Sequence, residues 1–193
     1  MKTVVLVTDI AFWLNNFGSH MRIQGLVRHL SQNHDVCVFF LKSIPADAQE
    51  GLTAIGLRNV RMVSYKDYSG RRLNFKRDIG QIDFFKGRAP DDFVSSLMAF
   101  LQSNPVDMVI FEYIRLAYML DGCPKGLPVV LDMHDVMSAR TISLRRAGLK
   151  ASIEMTAATE KVLLSRFNRV LAISRADVAH LDDMIGLSNV VYV

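Results

Sequence analysis

Short apolar runs alternate along the chain with segments of helical period, and that rhythm predicts the fold class. Residues 3–7 read as a strand apolar on both faces, and 35–41 (DVCVFFL) as a second. Residues 59–64 (NVRMVS) alternate and form a third. Residues 107–111 (DMVIF), 128–131 (PVVL), 169–173 (RVLAI) and 189–193 (NVVYV) complete the series. Between them, residues 19–31 place Ile23, Leu26, Val27 and Leu30 on one stripe, with Arg22 and Arg28 outside it. Residues 91–102 follow a Pro90-Asp91-Asp92 start and present Phe93, Leu97 and Leu101. Residues 151–167 and 175–185 read as helices too. Two-faced apolar strands separated by helices imply a Rossmann-like α/β fold: a mainly parallel sheet of about seven strands with helices on both faces. In such sheets ligands collect beyond the carboxyl ends of the strands, so the residues just after each strand are the candidates for chemistry.

One region breaks the rhythm. Residues 65–89 hold seven Lys or Arg interleaved with five aromatics and have no clean period. Loops of that length in a compact domain are often functional. Lys66, Arg71, Arg72, Lys76, Arg77, Lys86 and Arg88 among Tyr65, Tyr68, Phe75, Phe84 and Phe85 would suit anionic lipid headgroups or acceptor phosphates. A solvated loop with tucked-in aromatics is the plainer alternative. No RNA-binding or helix-turn-helix pattern accompanies the basic residues, so no nucleic-acid partner is expected.

Composition narrows the class further. The chain has 193 residues, half of them hydrophobic, which suits one α/β domain with a proper core. No apolar run approaches the roughly 20 residues that span a bilayer, and the run opening the chain is too short for a signal-peptide core. A cytoplasmic location is therefore expected. Cys37 and Cys123 form no CxxC or Cys/His pairing, which argues against a zinc site or a disulfide framework. Cys37, inside VCVFF, is expected to be buried and inert. The net charge of +4 permits an anionic partner without specifying one.

Three places offer chemistry. After the first strand, Gly18-Ser19 leads into a helix whose backbone N–H groups could cradle an anion, although Ser19 could equally be a plain N-cap. There is no GxGxxG fingerprint or P-loop, and the second strand ends in LKS rather than a ribose-binding acid, which counts against a dinucleotide oxidoreductase. The segment VVLDMHDVMSAR delivers Asp132, His134 and Asp135 to a strand end, with Ser138 and Arg140 beyond. A histidine between carboxylates can be held in one tautomer for proton transfer or for hydrogen bonding a hydroxyl; the alternative is a satisfied interior residue. Glu112, ending FE, could bind sugar hydroxyls or pair with Arg115 or Arg140. Glu160 falls on the apolar stripe of its helix beside Ile153, Ala157, Leu164 and Phe167, so a cationic partner is expected, Arg140 or His134. Ser174 stands at a strand-to-helix junction with Asp177 three residues on, a capping-box-like arrangement. No GxSxG elbow is present, so a serine nucleophile is not expected.

Along nearly its whole length the chain resembles the N-terminal domain of GT-B glycosyltransferases of the family 4 type. The opening strand with its glycine-containing loop (Gly18, Ser19, Arg22), the HDVCVFFL strand, the VVLDMHD strand and RVLAISRAD after a Glu-bearing helix carry the match, through their order and spacing. The resemblance implies one half of a two-domain enzyme that moves a sugar from a nucleotide-sugar to an acceptor hydroxyl. Residues 1–193 would be the acceptor-side domain, with a C-terminal nucleotide-sugar domain as a partner outside this chain. Gly18 and Ser19 would approach the donor diphosphate. His134 and Asp135 would serve catalysis, while Glu112, Asp132, Arg140 and Ser174 would contact sugar or acceptor. No cofactor beyond the donor and no metal are implied. The acceptor would be a polysaccharide or a lipid-linked glycan, with the enzyme peripheral on the inner face of a membrane. The competing expectation is a non-catalytic docking module of the same fold, acting through residues 65–89.

Overall fold

The computed structural model describes residues 1–14, 16–68, 91–150, 154–185 and 187–193. The strands are β1 (Lys2–Thr8), β2 (His34–Phe40), β3 (Arg61–Ser64), β4 (Met108–Glu112), β5 (Val129–Met133), β6 (Arg169–Ala172) and β7 (Val190–Tyr192). They form one seven-stranded sheet in the order β3-β2-β1-β4-β5-β6-β7, the chain adding β2 and β3 on one side of β1 and β4 to β7 on the other, as doubly wound sheets do. The pairs β1–β2, β2–β3, β5–β6 and β6–β7 are parallel, with Val4 beside Val36 and Leu131 beside Val170. The helices are α1 (Gly18–Leu30), α2 (Ala48–Ala54), α3 (Asp91–Ser103), α4 (Met137–Arg146), α5 (Ala157–Leu164) and α6 (Arg175–Ile185). All seven expected strands are present, with ends shifted by a residue or two. The fold expectation therefore holds.

The chain divides into two compact units, Met1–Ile110 with Tyr118–Pro128, and Phe111–Ala117 with Val129–Val193. In the first, five consecutive residues of both β1 and β2 are buried, as strands covered on both faces require. Cys37 lies in that core, and burial pushes its thiol up to about 11, so it stays protonated and inert. The buried stripe of α1 is His20, Ile23, Gln24 and Val27, one position round from the expected Leu26 and Leu30. The rotation has a polar cause: Gln24 Nε2 donates to the Phe12 carbonyl at 2.7 Å, and His20 Nδ1 accepts from the Asn16 N–H at 3.1 Å. Burial also lowers the pKa of His20.

Gly122 in this unit has no room for a side chain, since a Cβ there would stand 2.6 Å from the Val94 carbonyl oxygen. That neighbour is backbone and cannot swing aside. Gly122→Ala should therefore destabilise the chain by about 1–3 kcal/mol, the usual cost of overpacking. Urea unfolding checks this, and an unchanged midpoint would show that the backbone relaxes freely.

In the second unit, the core gathers Phe111, Leu131, Met133, Met155, Leu164, Phe167, Val170 and Leu181. Helix α4 has no counterpart in the sequence reading, because only Met137, Ser138 and Thr141 of its ten residues are buried and no apolar stripe announces it. Its C-terminal end is closed two residues past Arg146 by Gly148, whose φ of 71° suits glycine, with the Leu149 N–H donating to the Leu144 carbonyl at 2.8 Å. The expected helix over 151–167 is shorter. It starts after Thr156, whose hydroxyl accepts from the Thr159 N–H at 3.2 Å, and ends at Leu164. No helix among the described residues is long and apolar enough to cross a membrane.

Candidate functional site

The segment after β5 carries the densest chemistry in the second unit. Because side chains alternate along a strand, Asp132 and His134 lie on the same face, two residues apart. Glu112 ends β4. His134 Nε2 lies 2.8 Å from Glu112 Oε2 and 3.6 Å from Asp132 Oδ2. Both carboxylates have 0 % exposure and the histidine 7 %. The structure thus brings Glu112, Asp132 and His134 together, with His134 rather than Arg140 beside Glu112. A buried carboxylate against a ring nitrogen favours the tautomer with hydrogen on Nε2 and stabilises the imidazolium when it forms.

The imidazole also has an aromatic wall. The Tyr113 ring stacks on it with centroids 4.0 Å apart and planes 13° from parallel, while the Arg115 guanidinium covers Tyr113 at 4.3 Å. Tyr113 has a φ of 71°, unusual for any residue but glycine, and its N–H donates to the Asp132 carbonyl at 3.1 Å. Sequence reasoning passed over Tyr113, since nothing in a sequence marks a non-glycine residue as left-handed.

Asp135 and Arg140 stand apart from the buried group. They form an exposed ion pair at 2.8 Å, of the kind that contributes little to stability. Glu160 corrects an expectation: neither Arg140 nor His134 is its partner. Its Oε1 accepts from the Met137 N–H at 2.7 Å and its Oε2 from the Ser138 N–H at 3.0 Å. The positive end of the α4 dipole and two backbone donors do what a cationic side chain was expected to do. Thr141 adds a clamp, donating to the Met137 carbonyl at 2.8 Å and accepting from the Met155 N–H at 3.1 Å. Ser138 is 2 % exposed, and its hydroxyl has no hydrogen-bond partner among the described residues.

Ser174 takes the capping role. Its Oγ accepts from the Asp177 N–H at 3.0 Å and donates to Asp177 Oδ2 at 2.6 Å. At the start of α1, Ser19 is not the N-cap; that position is Phe17, which provides no side-chain cap. A Cβ on Gly18 would meet nothing within 4 Å, so no packing in the described structure demands that glycine.

The basic residues Arg71, Arg72, Lys76, Arg77, Lys86 and Arg88 lie outside the described residues. The first part of that region is described and is structural. Tyr65 is buried against Phe93 with ring centroids 4.8 Å apart, and Ser64 and Asp67 form a reciprocal capping box. Lys66 Nζ donates to Ser43 Oγ at 2.5 Å.

Glu112, Asp132 and His134 also form a donor set that could hold a divalent ion, with ligand atoms within 4.8 Å of one another. The family resemblance implies no such ion.

No family model and no curated protein matches the sequence. Solved structures do match the fold. Sucrose-phosphate synthase from Thermosynechococcus elongatus superposes with a TM-score of 0.68 at 11% identity, over 100% of this chain and 47% of that one. A UGT from Medicago truncatula, complexed with UDP-glucose, gives 0.62 at 11% identity, over 100% and 51%. A UGT transferase from Siraitia grosvenorii, in complex with UDP, gives 0.53 at 11% identity, over 100% and 51%. The chain spans about half the length of these structures. At such identity the likeness establishes architecture alone: the chain has the Rossmann-like α/β fold of one half of a GT-B glycosyltransferase.

Proposed function

We propose that this chain is the acceptor-side half of a glycosyltransferase of the family 4 type, moving a sugar from a nucleotide-sugar to a hydroxyl of a polysaccharide or lipid-linked acceptor. The observation that carries the reading is the buried Glu112–His134–Asp132 group at two strand ends, in a fold that superposes on about half of each of the matched structures. A proton on Nε2 toward Glu112 makes Nδ1 the basic nitrogen of the neutral imidazole. His134 then hydrogen-bonds the reacting sugar or takes the proton of the acceptor hydroxyl, and the two carboxylates stabilise the resulting imidazolium.

In this reading the α1 N-terminus at Gly18-Ser19 meets the donor diphosphate. The unfilled space at Gly18 and the absence of a side-chain cap on Phe17 support that role. Arg140 and Ser174 contribute to acceptor or sugar contacts, with Asp135 orienting Arg140. The basic stretch from Arg71 to Arg88 meets an anionic lipid surface on the cytoplasmic side. The second domain supplies most nucleotide contacts, so this chain alone turns over little or not at all. No cofactor is required.

The test joins the chain to a nucleotide-sugar half, as one polypeptide or two, and screens nucleotide-sugars for release of nucleoside diphosphate. Release that needs both halves supports the transferase. A well-folded assembly that releases none with any donor overturns it in favour of a docking module, to be tested on lipid vesicles.

A further inference from the structure

We infer that Tyr113 is a positioning residue for His134, an aromatic wall that holds the imidazole in one orientation and one tautomer against Glu112. The role rests on the reading of His134 as a site residue, and three observations carry it. First, the ring planes are 13° apart with centroids at 4.0 Å, a full face-to-face contact rather than a passing edge. Second, the tyrosine ring is packed by two neighbours, the His134 imidazole at 4.0 Å and the Arg115 guanidinium at 4.3 Å from its centroid, which occupy the ring that a sugar would otherwise stack on. Third, the backbone adopts a φ of 71° to put the ring there. A tyrosine tolerates that conformation only where the surroundings over-determine it, and such outliers gather at functional sites.

Hydrogen bonding alone leaves the imidazole a freedom that matters. Glu112 and Asp132 both lie within reach of Nε2, at 2.8 and 3.6 Å, so the ring could swing between them or flip to offer Nδ1. Rotation out of its plane would need to displace the tyrosine, whose ring is packed by the Arg115 guanidinium and whose backbone is fixed by the bond from its N–H to the Asp132 carbonyl. The stack therefore selects the rotamer, and Glu112 selects the proton position. Arg115 acts at one remove, its cation held on the electron-rich face of the phenol ring.

Tyr113→Gly is the informative variant, because glycine accepts a positive φ without strain and removes the ring while easing the backbone. Tyr113→Phe is its partner, keeping the wall and deleting only the hydroxyl. Nitrogen-15 NMR of the imidazoles in the full chain, with His134 assigned by its loss in His134→Gln, reads the tautomer directly. The wild type and Tyr113→Phe should show two well-separated ring nitrogens, one protonated and one bare. In a folded Tyr113→Gly chain the pair should move toward an averaged position as the tautomers and rotamers exchange. In the joined enzyme kcat should fall about tenfold at nearly constant KM, with recovery in Tyr113→Phe, because positioning acts on the reacting geometry rather than on ground-state binding. Ring nitrogens as well separated in Tyr113→Gly as in the wild type would overturn the inference, as would equal averaging in Tyr113→Phe. The nitrogen spectrum tests the wall and diphosphate release tests the transferase reading, so either can fail without the other.

Discussion

Changing His134 to alanine in the joined two-domain enzyme is expected to lower turnover by about 10² or more. The argument is local. His134 is the titratable base of a buried group whose other members, Glu112 and Asp132, are carboxylates that can orient it and balance its charge but cannot replace it as a neutral proton acceptor. Truncation leaves two buried carboxylates facing a void, so stability must be followed alongside rate. Circular dichroism and a denaturation curve on the same preparation separate the two effects. The exposed Asp135–Arg140 pair provides a scale, since Arg140→Ala should leave stability almost unchanged. A folded His134→Ala enzyme that turns over at the wild-type rate would remove His134 from the reacting centre, and with it the main support for acid–base chemistry at this strand end.

The second large effect is on stability. Glu160→Ala should destabilise the chain by about 2–4 kcal/mol, because it strands two buried backbone donors, those of Met137 and Ser138, and leaves a gap at the N-terminus of α4. Against a typical total of about 5–15 kcal/mol, that is a large fraction. Glu160→Gln should cost less, since its amide keeps one acceptor oxygen for one of the two N–H groups. Urea unfolding of the wild type and both variants gives the order directly. A Glu160→Ala midpoint indistinguishable from wild type would mean that water satisfies those donors and that the carboxylate does not anchor α4. Because α4 begins three residues after His134, loosening its first turn should also lower turnover in the joined enzyme, and the loss should be smaller in Glu160→Gln.

Glu160 illustrates where sequence reasoning reaches its limit. The helical stripe located it correctly on a buried face, and the cost of burying a lone carboxylate correctly demanded a positive partner. The partner was sought among side chains because only side chains carry charge in a sequence. A helix N-terminus is also positive, but α4 itself was not foreseen, since MSARTISLRR shows no apolar stripe. The same limit applies to Ser19. A serine before an apolar-periodic segment looks like a cap, yet the chain enters α1 two residues earlier, with Phe17 at the cap position. Ser174 was read correctly because its partner, Asp177, is three residues away and the whole motif is local.

The strands were legible for a simple reason: a strand buried on both faces is apolar over most of its length, and VVLV, VCVFF and VVL are such runs. By itself the sequence therefore determined the α/β class, the number of strands, and the placement of Asp132 and His134 at the end of one of them. Only the tertiary structure decided that Glu112, twenty-two residues before His134, meets it at 2.8 Å. It also decided that Tyr113 turns through a positive φ to wall the imidazole and that Glu160 caps a helix. Periodicity and local caps are short-range properties, written into neighbouring residues. Side-chain partnerships across the sheet depend on strand order and register, which no local stretch of the chain encodes.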